Sequence, residues 1–81
     1  MAQLTRDEIA AIAEHQHLGE VDAARLSEWL MARRGGPHQV EQMMCDDIRA
    51  ALHAHHLPRA RNLYATLRAF LADHPDAVRG G

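Results

Sequence analysis

Seven histidines occur in the chain: His15, His17, His38, His53, His55, His56 and His74. Imidazole ligates metals and titrates near neutral pH, so helix geometry decides which of these rings can act together. His53 and His56 are three residues apart and would share a helix face. Glu14 and His17 give the spacing Glu-x-x-His. In di-iron four-helix carboxylate proteins that spacing supplies two ligands from one helix. One copy of the chain holds a single such motif and no other Glu at an obvious inward position. A transition-metal site would therefore gather Glu14, His17, His53 and His56 across a dimer. The plainer reading makes these rings surface or cap residues near helix C-termini, where a cationic ring suits the dipole. A pH-sensitive surface is the softer form of that reading.

Other reactive side chains are less promising. Met43-Met44-Cys45 puts three soft sulfurs in a row. Adjacent helical residues diverge, so they cannot converge on one Cu(I). Methionines filling core gaps and a quiet buried thiol are expected instead. His38 lies two turns from Cys45, too far to activate it directly. Asp46 and Asp47 diverge in the same way and read as a solvated face. The one serine, Ser27, stands in Leu-Ser-Glu within a helix. That is not the Asp-Ser-Leu helix start at which acyl carrier proteins are modified. All nine basic residues are arginine. Without lysine there is no Schiff-base nucleophile and no phosphate-loop lysine. Enzymatic chemistry is therefore not expected.

Nucleic acid is a weak expectation too. The formal charge is −2, whereas phosphate neutralisation supplies most non-specific affinity. The first two helices could be read as helix-turn-helix, but the second opens with Glu20 and Asp22, where a recognition helix would meet phosphate. Arg49, Arg59 and Arg61, with His55 and His56 around Pro58, form the main basic cluster. They carry the alternative reading of a nucleic-acid-binding regulator, or a contact to an acidic partner. The terminal Gly80-Gly81 resembles the thin tails used by conjugating enzymes, but the carriers with such tails are β-grasp folds, and a frayed terminus is expected here.

The elements that position these residues are helical. β-branched residues are few and never alternate usefully with polar ones, so no segment reads as strand. Thr5 with Glu8 predicts a capping box opening a helix over about 6–16, with Leu4 as a staple. Leu18-Gly19 turns the chain into a second helix over about 20–33. Its expected apolar side is Val21, Ala23, Ala24, Leu26 and Leu30, with Trp29 and Met31 partly off it. Gly35-Gly36 stops that helix, and Pro37 suits the start of a third over about 38–55. Val40, Met43, Met44, Ile48, Ala51, Leu52 and His55 are its expected inner face. Leu57-Pro58 separates it from a fourth helix over about 59–73, faced by Ala60, Leu63, Tyr64, Leu67, Phe70 and Leu71. Residues 75–81 are expected to be a frayed, disordered tail.

The reading is a single all-α domain over 1–81, a compact bundle of four short helices. Of 81 residues, 47% are hydrophobic, but fifteen of these are alanine, so the core is small. One cysteine rules out an internal disulfide, and self-association is the expected support. The expected function is a non-enzymatic interaction or regulatory module that binds itself, as a homodimer, or another protein. Its expected contact surface is Trp29, Leu30, Tyr64 and Phe70, edged by Arg59 and Arg61. The alternative is a monomer in which the same apolar residues complete the core. No apolar run is long enough for a membrane span and the start has no signal-peptide stretch, so the cytoplasm is expected. Arginine and alanine in place of lysine read as a GC-rich bacterial genome.

Overall fold

A computed structural model describes residues 4–79. Met1 to Gln3 and the Gly80-Gly81 terminus lie outside the described residues. Four α-helices run Arg6–Gln16 (α1), Glu20–Ala32 (α2), Gly36–His53 (α3) and Leu57–Asp73 (α4), followed by a 3-10 turn over Pro75–Arg79. No strand occurs among the described residues. No helix there is long and apolar enough to cross a membrane.

The capping box forms as its spacing dictates. Glu8 N–H donates to Thr5 Oγ1 at 3.2 Å, and Thr5 N–H donates to Glu8 Oε1 at 2.7 Å. Glu8 is fully buried. The other end of α1 closes through His17, whose φ of 56° is left-handed. Leu18 N–H then reaches back to the Ala13 carbonyl at 2.9 Å. This wraps the last free carbonyls, as glycine-terminated helices commonly do. The α3 terminus repeats the device with His55 at φ 60°. There His56 N–H bonds the Ala51 carbonyl at 2.8 Å.

Three sequence expectations change here. Helix α3 ends at His53, so His55 is a left-handed cap and exposed, not an inner-face residue. Leu52 is also turned out, and so is Val21 on α2. At the start of the expected tail, residues 75–79 form a 3-10 turn. Ala77 is fully buried, and His38 Nδ1 donates to its carbonyl at 2.7 Å. That bond and the buried methyl hold the segment against α3, which propensity alone could not reveal.

Gly35 and Gly36 have distinct uses. Gly35 caps α3 with φ 78°, a left-handed conformation that favours glycine. A Cβ on Gly36 would run into the Leu30 carbonyl. The pair lets the start of α3 lie directly on α2.

Phe70, Ile12, Leu30, Met44 and Val40, from all four helices, form the sealed centre. Met43 and Met44 fill that core, while Cys45 and Ile48 pack partly against it. Helices α1 and α3 each touch the other three, whereas α2 and α4 do not approach one another. Polar ties cross the bundle: His15 Nδ1 to Asp47 Oδ1 at 2.9 Å links α1 to α3, and Arg59 to Glu14 at 2.7 Å links α1 to α4. The radius of gyration of 11.9 Å matches the ~12 Å of a packed chain of this length.

Candidate interaction surface

The expected contact residues separate into two groups. Leu30 is 1% exposed and Phe70 is 0% exposed, so both belong to the core and are corrected out of the surface. Trp29 at 57% and Tyr64 at 55% stay open to solvent. The cause is angular. Successive helical residues are rotated by about 100°, so Leu30 faces in when Trp29 faces out. Because α2 and α4 do not meet, Trp29 and Tyr64 belong to two surfaces and not one.

On α2 the outer line runs Val21, Arg25, Trp29, Arg33, all exposed, at steps of four residues. The Arg33 guanidinium lies 4.6 Å from the Trp29 ring centroid, a cation–π contact. On α4 the outer line runs Leu57, Arg61, Tyr64, Arg68, at steps of four, three and four. Leu57 is 54% exposed. Sequence reasoning missed Val21 and Leu57 as surface positions. Wheel angles measured from Trp29 and Tyr64, rather than from the whole apolar set, would have found both.

The arginines at the expected polar edge differ. Arg59 is spent on Glu14, while Arg61 pairs with no acid among the described residues. Arg49 is held by Asp46 at 3.0 Å. Two of the three arginines of the nucleic-acid reading are therefore already matched by carboxylates.

No three His, Cys, Asp or Glu side chains come together to hold an ion among the described residues. Glu14 faces Arg59, His17 caps α1, His53 ends α3 and His56 precedes α4. Within one chain these four do not come together; the expected site spans two copies.

The remaining reactive groups are held quiet. Burial, then the hydrogen bond from Cys45 Sγ to the Glu41 carboxylate at 3.0 Å, pushes the thiol up from its ordinary 9.0 to about 11. Ser27 is buried, and its hydroxyl donates to the Ala23 carbonyl at 2.6 Å, the usual back-bond of a mid-helix serine. A groove of about 640 Å³ is lined by Leu4, Ser27, Met31, His74 and Ala77 among others. His74 stacks on Phe70 with ring centroids 4.8 Å apart, and its Nε2 is buried without a hydrogen-bond partner. The groove offers apolar packing and few directional contacts.

Comparison with protein-family models, curated proteins and solved structures finds no match to this chain.

Proposed function

We propose that the chain is a small non-enzymatic helical interaction module that binds itself or a partner protein through the outer faces of α2 and α4. The observation that carries this reading is the exposure of Trp29 and Tyr64, 57% and 55%, beside a core that is complete without them. Aromatic side chains held on rigid helices are the common anchors of protein interfaces. Val21, at 68% exposed, and Leu57, at 54%, add a second apolar group on each helix, separated from its aromatic anchor by an exposed arginine. Solvent-exposed large apolar groups gathered in this way mark contact sites more often than scattered single ones do. The quiet Cys45 thiol and the spent Ser27 hydroxyl agree with a role without covalent chemistry.

Sedimentation equilibrium over a wide concentration range, on the chain and on the double variant Trp29→Ser/Tyr64→Ser, tests the self-binding form. Concentration-dependent mass that the variant loses supports it. A chain that stays monomeric must show a partner in its own cells, by photo-cross-linking from positions 29 and 64. A monomer that cross-links to nothing from either position contradicts the reading.

A further inference from the structure

We infer that the outer face of α4 docks an acidic amphipathic helix of another protein, an inference that rests on the interaction-module reading above. The argument begins with charge placement. The chain is net acidic, yet α4, LPRARNLYATLRAFLAD, holds three arginines and no acid before Asp73, its last residue. Arg59 is turned to Glu14 on α1. Arg61 and Arg68 are exposed, and neither pairs with a carboxylate among the described residues.

Their register with the apolar groups completes the pattern. Leu57, Arg61, Tyr64 and Arg68 alternate apolar and cationic along one exposed line. At 1.5 Å per residue that line is about 16 Å long, three turns of helix. A straight line of that length on a helix matches another helix laid alongside, with apolar groups at three- and four-residue spacing. Carboxylates flanking those groups would meet Arg61 and Arg68, each able to hold a carboxylate through two N–H donors.

Charge also chooses between occupants. Two α4 faces brought together as a symmetric dimer would gather Arg61 and Arg68 of both copies with no carboxylate on either line to offset them, which is repulsive. The α2 line carries the same alternation, but Arg33 there is already engaged over Trp29 and Glu20, Asp22 and Glu28 share the helix. A nucleic acid would meet the arginines but leave Leu57 without an apolar partner, and would face a chain of net negative charge.

The test is fluorescence anisotropy of a labelled helical peptide with Leu at heptad spacing and Glu beside it, added to the full chain. The same peptide with Lys for Glu is the control. Micromolar binding of the acidic peptide is expected, with affinity falling as salt rises. Arg61→Glu/Arg68→Glu is expected to lower affinity about tenfold or more, and Arg34→Glu, an exposed position in the turn after α2, to leave it unchanged. Both variants alter exposed positions, and circular dichroism verifies that they fold. Equal binding of the Lys peptide, or no loss in the α4 variant, overturns the inference. Tighter binding of a short nucleic-acid duplex than of the peptide overturns it also, as does a self-association that the α4 variant abolishes. Absence of peptide binding while position 64 still cross-links to a partner removes the acidic helix and leaves the module reading standing.

Discussion

Tyr64 and Phe70 lie six residues apart on α4, rotated from one another by about 120°. Phe70 is sealed at the centre of the core, whereas 55% of Tyr64 meets solvent. One helix thus has two apolar sides with separate uses. The inner side, with Ala60, Leu63 and Leu67, is consumed by folding. The outer side, with Leu57 and Tyr64, stands outside the buried core.

That division predicts two unlike mutational outcomes. Phe70→Ala empties the best-buried aromatic position and should cost about 3–5 kcal/mol. Tyr64→Ser alters an exposed position and should change stability by no more than about 0.5 kcal/mol. Urea denaturation of both variants measures this. A large loss from Tyr64→Ser would show that the outer ring supports the fold after all.

His17 and His55 hold left-handed φ values of 56° and 60° at the ends of α1 and α3. A side chain there carries a steric cost that glycine avoids. His17→Gly and His55→Gly should each stabilise the chain, or at least leave it unharmed, with a gain of up to about 1 kcal/mol. The thermal midpoint reads the effect. A clear loss in either variant would assign the ring a contact beyond capping. Two of the seven histidines are thereby accounted for by backbone geometry.

Gly36→Ala should be among the most damaging single changes. Its added methyl would meet the Leu30 carbonyl, which is backbone and cannot swing aside. A loss of more than about 2 kcal/mol is expected, read by urea denaturation. An unperturbed Gly36→Ala variant would mean that α2 and the start of α3 lie further apart.

The sequence made the helices legible because their punctuation is local. Thr5 with Glu8, Gly35, Pro37 and Pro58 each act within one turn of their own position. The bundle of four helices follows from those signals and from the apolar spacing. Side assignment was harder. Residue type does not separate Tyr64 from Phe70, or Trp29 from Leu30, because both members of each pair are large and apolar. Only the contacts of neighbouring helices decide which member faces in. The 3-10 turn over residues 75–79 was not legible because it rests on the His38–Ala77 bond, made across 39 positions of sequence. Glu14, His17, His53 and His56 do not converge within one chain because helix spacing fixes faces, not distances. Arg59 then claimed Glu14 from a helix that spacing could not connect to it.

Cys45 should be slow to react. Burial and the Glu41 carboxylate hold its thiol up to about 11, against an ordinary 9.0. At pH 8 the thiolate fraction is then about a hundredfold below that of the unfolded chain, and alkylation should slow in proportion. Because the folded value lies above the unfolded one, the stability held at this site is intact below pH 9.0 and lost as pH rises through about 11. Glu41→Gln should recover part of the reactivity and not all, since burial is the larger cause. Alkylation of the native chain as fast as of the denatured chain would contradict the arrangement.

Photo-cross-linking in the producing cells tests the central claim most directly. A photoreactive residue is placed in turn at positions 29 and 64, and at position 50 on exposed α3 as a control. The account predicts a discrete cross-linked protein, either a second copy of the chain or a partner, from position 64 or 29 and absent from position 50. No product from either outer face, or the same products from all three positions, would contradict it.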